Sequence, residues 1–98
     1  MSLETCTEAI RTKVGNDSGL NASLKFDLGS DGFIIIDGQS TPNSVSNDNT
    51  DTDCTVGITL DDLQAMIDRK LDPVAGFMSG KLKVSGDMSV AMRLQRVI

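Results

Sequence analysis

The chain has 98 residues, which is enough for one domain built around a single hydrophobic core. Its formal net charge of −5 argues against binding to nucleic acid, and it makes the chain as a whole a poor match for an anionic membrane surface. Because the chain has no histidine and only two cysteines, the usual catalytic triads and zinc sites built from histidine or cysteine clusters are excluded.

The first predicted element is a helix over residues 3 to 14. Leu3, Ile10 and Val14 recur at near-helical spacing, so they are expected to share one buried face. Gly15 follows them, and glycine is common just beyond the last residue of a helix. The pattern therefore predicts one amphipathic helix ahead of any strand.

A β-hairpin is predicted next. Residues 22 to 28 alternate between apolar and polar side chains, which is typical of a strand with one buried face. Residues 29 to 32 begin and end with glycine and predict a turn in which positive φ angles are needed. The unbroken apolar run from Phe33 to Ile36 indicates a second strand that is covered on both faces.

The middle of the chain is less regular. Residues 39 to 52 are polar and hold at most one irregular strand, around Val45. Residues 53 to 59 alternate again and predict a further strand. Thr59 suits the N-cap of an amphipathic helix whose apolar residues recur at helical spacing from Leu60 to Leu71.

The last part of the chain predicts a helix, a strand and a helix. Asp72 and the proline that follows it suit the start of a short helix, Val74 to Ser79. Residues 81 to 85 alternate between polar and apolar side chains, as a strand with one buried face does. Asp87 is a plausible cap for a final amphipathic helix that begins at Met88.

This closing stretch also carries a family resemblance. GKLKVSGDMSVAMRLQ, residues 80 to 95, resembles the C-terminal signature of the sterol carrier protein 2 (SCP-2) family, in which Gly-Lys, an alternating strand, Gly-Asp-Met and an Ala-x-x-Leu helix follow in this order. The preceding LDPVAGFMSG resembles the family's approach to that signature. Together with the predicted elements, the resemblance implies one α/β domain of the α+β type over residues 1 to 98. We expect about five strands in a mixed, mainly antiparallel sheet that helices cover on one face.

The resemblance also implies a function. Members of the family hold a lipid, a fatty acyl chain or a sterol noncovalently in an apolar tunnel between sheet and helices, without chemistry on it and without a cofactor. The facing of the strands is the sensitive part of any lining prediction, because a shift of one residue exchanges lining for exterior. The predicted lining is Phe26, Leu28, Phe33, Ile35, Val56 and Ile58 from the sheet, and Leu63, Met66, Ile67, Phe77, Met78, Met88 and Met92 from the helices.

Three other groups of residues resemble chemical sites only in part. The polar stretch from Asn47 to Asp53 offers oxygen atoms at alternate positions but lacks the glycine and glutamate that a calcium loop requires. The segment Gly76 to Lys81 departs from a phosphate loop in spacing and in the residue after lysine. Asp61 and Asp62 are neighbours on a helix and point in different directions. We therefore predict no enzymatic activity and no metal site.

The charge is unevenly distributed. Residues 79 to 98 carry a local charge of +3, which leaves −8 for the remainder of the chain. A solvated surface accounts for this, and the alternative is a weak contact with lipid head groups or a partner enzyme. A second hypothesis for the whole domain also stays open: a protein-interaction or homodimerisation module whose apolar groove receives a partner helix.

The expected location is the cytoplasm. No apolar run approaches the roughly 18 to 20 residues that span a bilayer, and the start of the chain does not resemble a signal peptide. Residues 95 to 98 are not a peroxisomal tripeptide of the Ser-Lys-Leu type. Cys6 and Cys54 are too few for a disulfide framework, so we expect both to be reduced and packed.

Overall fold

The part of the chain that the structure describes, residues 3–15, 19–39 and 42–94, forms five strands and four α-helices in this computed structural model. The strands are β1 (Ser23–Asp27), β2 (Phe33–Asp37), β3 (Ser44–Ser46), β4 (Cys54–Gly57) and β5 (Lys83–Gly86). The helices are α1 (Leu3–Val14), α2 (Leu60–Ile67), α3 (Pro73–Met78) and α4 (Met88–Leu94).

The five described strands form one sheet in the order β3-β2-β1-β4-β5. β1 and β4 run parallel to each other, and the other neighbouring pairs are antiparallel. The predicted hairpin of β1 and β2 is present, and Gly29 and Gly32 in its turn have φ angles of 64° and 114°. The predicted fold class, a mixed and mainly antiparallel sheet, is confirmed.

The strand register shows which side chains face the helices. Phe26 is paired with Ile34 on one side and with Val56 on the other, and Leu24 is paired with Ile36. Because directly paired residues project to the same side of a sheet, these five side chains share one face. All five have 0% exposure. This face, here called the helix face, carries the core.

The opposite side of the sheet, here called the outer face, is covered by a connecting segment rather than by a helix. Ile35 is paired with Lys25 on this face and is only 5% exposed. Residues 47–53 connect β3 to β4 and cross the outer face, where Asn49 Oδ1 accepts a hydrogen bond from Lys25 Nζ at 2.8 Å. β2 is therefore buried on both sides, as its unbroken apolar run predicted.

The ends of α2 follow from local chemistry. Thr59 caps its start, as predicted, because its Oγ1 accepts a hydrogen bond from Asp62 N at 3.1 Å. The helix ends at Ile67 rather than continuing to Leu71. Arg69 adopts a φ of 61°, and the N–H of Lys70 bonds to the carbonyl five residues back at 2.8 Å, the pattern of a Schellman C-cap.

One buried cluster joins α1, α2 and α4 to the helix face of the sheet. Cys6 in α1 donates a hydrogen bond from Sγ to Gln64 Oε1 in α2 at 3.3 Å, and Ile10 and Leu63 are fully buried beside them. Cys6 and Cys54 are buried free thiols, as predicted, and burial raises the pKa of both. Among the described residues, no helix combines the length and apolar character needed to cross a bilayer.

Candidate functional site

An apolar groove opens between α3, α4 and the edge of the sheet formed by β4 and β5. It has a volume of about 120 Å³, and all eleven residues that line it have apolar side chains. We call it the α3–α4 groove. Its floor is Val56, Leu82 and Val84, one wall is Pro73, Val74, Phe77 and Met78, and the other wall is Met88, Ala91, Met92 and Leu94.

α3 packs closely on the groove floor at a glycine in its middle. A Cβ atom on Gly76 would lie 2.5 Å from Leu82 Cδ1, so an added side chain would require the end of Leu82 to move. Val74, Phe77 and Met78 are three and four residues apart and therefore share one side of the helix. That side forms the wall of the groove.

Backbone hydrogen bonds hold both ends of α3. Asp72 occupies the predicted N-cap position with an extended backbone, but its side chain makes no capping hydrogen bond. At the other end Gly80 has a φ of 83°, its N–H bonds to Phe77 O at 3.2 Å, and Lys81 N bonds to Gly76 O at 2.8 Å. These two bonds form a Schellman C-cap that turns the chain from α3 towards β5.

The second wall depends on the start of α4. Asp87 Oδ1 accepts hydrogen bonds from the hydroxyl and the backbone N–H of Ser89, at 2.6 and 2.9 Å. These bonds, with a smaller contribution from the charge of Arg93, lower the pKa of Asp87. Val90 and Leu94 are buried at 1% and 2% exposure. Leu94 also contributes to the groove wall, and the remaining helix surface faces the groove and solvent.

The groove is bordered by exposed hydrophobic side chains. The large apolar residues that are exposed among the described residues all line it. Contiguous exposed apolar surface of this kind usually marks a binding site in a soluble domain. The exposed fractions are 41% for Val74, 43% for Phe77, 84% for Met78, 45% for Met88 and 61% for Met92.

The groove is small and open in this conformation. Its volume of about 120 Å³ compares with roughly 300 to 1,000 Å³ for sites that enclose a drug-sized molecule. The described residues therefore form a groove that accepts part of a lipid, and the enclosed tunnel that the family resemblance implied is not shown.

A second depression of about 340 Å³ lies where β4 leads into α2, beside the turn between α3 and β5. It is more polar than the α3–α4 groove. Lys81 and Lys83 border it, together with Asp62 and Thr59 of the α2 start. The depression therefore brings both signs of charge to one end of the sheet.

Known proteins are similar to this chain in sequence and in fold. A sequence model of the SCP-2 sterol transfer family matches residues 9–98. The chain belongs to this family. The family predicted from residues 80 to 95 is confirmed.

Solved structures confirm the SCP-2 fold. The crystal structure of sterol carrier protein 2 like 2 from Aedes aegypti is 27% identical, has a TM-score of 0.77 and is matched over 100% of this chain and 97% of that chain. A solution structure of palmitated SCP2L2 from the same organism is 26% identical, with a TM-score of 0.73 over 99% of this chain and 94% of that chain.

Curated relatives are longer proteins. Sterol carrier protein 2 of Oryctolagus cuniculus is 36% identical over 70 residues, which are 70% of this chain and 13% of that protein. The chain therefore spans a small part of the length of the sterol carrier protein 2 relatives that it matches.

The structure separates the predicted lining residues of this SCP-2 domain into three groups. The first group lines the α3–α4 groove, the second is packed in the core behind it, and the third lies on the outer face of the sheet. The first group is Val56, Phe77, Met78, Met88 and Met92, the second is Phe26, Leu28, Ile58, Leu63, Met66 and Ile67, and the third is Phe33 and Ile35.

The third group corrects the facing predicted for β2. The register pairs Ile34 and Ile36 with residues of the helix face, which places Phe33 and Ile35 on the outer face. Phe33 contacts Lys25 there, whose Nζ lies 5.6 Å from the ring centroid. An unbroken apolar run has no alternation, so only strand pairing decides which side chains face the helices.

The prediction also omitted residues that line the groove. Val74 precedes Phe77 by three residues, so helical spacing could have placed it on the same side. Leu82 and Val84 are the apolar members of the alternation that predicted β5, and they form part of the floor. The omitted lining residues are Pro73, Val74, Leu82, Val84, Ala91 and Leu94.

Proposed function

We propose that this SCP-2 domain binds the hydrocarbon part of a lipid in the α3–α4 groove and carries it or presents it to another protein. Membership of the SCP-2 sterol transfer family supports lipid binding or transfer in general. The observation that carries the specific proposal is the groove itself, whose eleven lining residues are all apolar and whose rim is exposed.

The chemistry of the groove favours noncovalent binding. Its lining offers no acid, base or nucleophile, so the ligand is held without a covalent step. An apolar surface discriminates poorly between hydrocarbon chains of similar width. The proposed ligands are therefore a fatty acid, a fatty acyl-CoA, a sterol or a related lipid.

Binding a whole acyl chain requires the groove to widen. Methionine side chains are flexible and adapt to irregular shapes, and Met78, Met88 and Met92 supply much of the rim. Because an empty void costs about 24 cal/mol per Å³, the wider form is expected mainly when ligand fills it. The groove would widen inward, past Val56, which is paired with the core residue Phe26. Such widening would turn the groove into a tunnel.

Thermal unfolding tests ligand binding directly. Delipidated protein is mixed with palmitate, palmitoyl-CoA or cholesterol, and unfolding is followed by far-UV circular dichroism because the chain has no tryptophan. A ligand at about 100 times its Kd adds about 2.7 kcal/mol, which raises Tm by roughly 10 to 20 °C in a domain of this size. No shift with any of the three ligands would contradict lipid binding.

A matched pair of phenylalanine variants tests the location. Phe77→Ala removes a ring that is 43% exposed at the groove, and we expect affinity to fall about 10- to 100-fold, from the roughly 1.5 to 3 kcal/mol that burying this side chain provides. Phe33→Ala removes a ring on the outer face and should leave affinity unchanged. Equal losses in calorimetric titrations of both variants would place the ligand elsewhere.

The exposed rim also supports a second candidate, a protein-interaction or dimerisation module that uses the same groove. Exposed apolar patches mark protein interfaces as well as ligand sites. Native mass spectrometry of the purified chain separates the two: copurified lipid on a monomer supports the carrier, whereas a stable dimer with an empty groove supports the module.

A further inference from the structure

Three of the five methionines of the chain line the α3–α4 groove. Met78 ends α3 on one wall, and Met88 and Met92, one helical turn apart, lie on the other wall. All three side chains are exposed, whereas Met66 is packed in the core with 1% exposure. Among the described methionines, those that reach solvent are therefore gathered at the groove.

Sulfur gives the groove the one chemical reactivity that its lining has. Apart from the three methionines, the described residues that line the groove have hydrocarbon side chains. A thioether does not attack the ester or thioester group of a lipid, but peroxides oxidise it to a sulfoxide. This chemistry therefore changes the protein and leaves the ligand unchanged.

The two cysteines compete poorly for such an oxidant. Peroxides react with a thiolate that solvent can reach, and Cys6 and Cys54 both have 0% exposure. Burial also raises the pKa of both thiols, which keeps them protonated at neutral pH. Oxidation is therefore directed to the exposed methionines, and Met78 is the most exposed of them.

We propose that Met78, Met88 and Met92 form an oxidation site through which hydrogen peroxide lowers the affinity of the groove for hydrocarbon. The inference rests on the proposed lipid binding in the groove. A lone pair of the sulfur forms a bond to one peroxide oxygen as the O–O bond breaks, and the proton of the bound oxygen passes to the departing hydroxide, which leaves as water. The sulfur loses two electrons, the peroxide gains two, and methionine sulfoxide reductases reverse the change.

A sulfoxide changes what the groove can hold. Its S–O group is polar and accepts hydrogen bonds, and water supplies them in the ligand-free groove because the three methionines are exposed. A hydrocarbon chain that covers the sulfoxide removes this water, and the described lining residues offer no donor side chain in exchange. We therefore expect each covered sulfoxide to weaken palmitate binding about 5- to 100-fold.

Peroxide treatment followed by peptide mass spectrometry tests the site. The folded chain is exposed to hydrogen peroxide, and the gain of one oxygen atom is followed at each methionine and cysteine. We expect the three groove methionines to be oxidised well before Met66, which the core protects while the chain is folded. Oxidation of Met66 or of either cysteine as fast as Met78 would overturn the assignment.

Calorimetric titration with palmitate, before and after peroxide, tests the consequence. A variant that combines Met78→Leu, Met88→Leu and Met92→Leu keeps the groove apolar but cannot be oxidised there, and Met66→Leu is the matched control that removes the buried methionine. Each protein is compared with itself, so any effect of leucine on binding cancels. We expect peroxide to weaken binding at least about 5-fold in the parent chain and in the control, but not in the combined variant. An equal loss in all of these proteins would overturn the proposal.

The oxidation site and the proposed function can fail separately. A reduced chain that responds to none of palmitate, palmitoyl-CoA and cholesterol would overturn the carrier function, and with it the effect of oxidation on binding. A reduced chain that binds palmitate and keeps its affinity after the groove methionines are oxidised would overturn the oxidation site alone. Recovery of affinity after treatment with methionine sulfoxide reductases would support the site, whereas loss of the far-UV circular dichroism signal on oxidation would indicate unfolding and overturn it.

Discussion

Gly86 joins β5 to α4, and its replacement by alanine should destabilise the domain through a clash with the backbone. Its φ angle is 90°, and a Cβ atom there would lie 2.5 Å from the carbonyl oxygen of Asp53. That oxygen also accepts a hydrogen bond from Asp87 N at 2.9 Å. Any shift that relieves the clash therefore disturbs the start of α4, which forms one wall of the groove.

Gly80 supplies a matched control for this substitution. Its φ angle is 83°, but nothing lies within 4 Å of the position that a Cβ atom would take. Gly80→Ala thus carries the backbone strain alone, about 1 to 2 kcal/mol. Gly86→Ala adds overpacking of about 1 to 3 kcal/mol to the same strain, so we expect a total of about 2 to 5 kcal/mol before any weakening of the hydrogen bond from Asp87 N.

Urea and thermal unfolding followed by far-UV circular dichroism measure the difference. A loss of 1 kcal/mol corresponds to about 4 to 8 °C in a domain of this size, so Gly86→Ala should melt at least about 4 °C below Gly80→Ala. Should the two variants unfold at the same temperature, or Gly80→Ala prove the less stable, the close approach of Gly86 to the carbonyl would not govern stability and the reasoning would be refuted.

Two further predictions concern helix starts. Thr59→Ala removes the N-cap of α2 and should lower the free energy of unfolding by about 1 kcal/mol in urea titrations. Thr59→Ser keeps the hydroxyl acceptor and should lower it much less. Equal losses in the two variants would contradict capping. Because hydrogen bonds from Ser89 lower the pKa of Asp87, its ionised form stabilises the fold above the ordinary aspartate pKa, and this stabilisation is lost as the pH falls through the lowered value. Asp87→Asn should therefore reduce the Tm difference between neutral and strongly acidic solution, and an unchanged difference would argue against this role.

Local patterns in the sequence were sufficient for most of the elements. Alternation predicted β1, β4 and β5, and helical spacing predicted α1 and α4, because these periods reflect which side of a single element meets the core. The family signature in residues 80 to 95 added the fold, and residues 9–98 match the family. β3 coincides with the irregular strand that the polar segment was expected to hold at most, around Val45.

Features that no period within a single element reveals were harder to predict. α2 ends at Ile67 because Arg69 adopts a left-handed conformation, although the apolar spacing continued to Leu71. α3 packs closely on Leu82 at Gly76, and nothing in the sequence around that glycine shows which side chain it meets. The open groove likewise depends on how far apart two helices lie.

By itself the sequence determined the family, the order of elements and the apolar character of α3 and α4, because each of these follows from residue types and their spacing. The tertiary structure decided which apolar residues meet. Strand pairing turned Phe33 and Ile35 to the outer face, and the packing of α3 against Leu82 left Phe77 and Met78 exposed at the groove. The physical reason is that burial is a property of pairs of surfaces, and a linear pattern specifies only one surface of each pair.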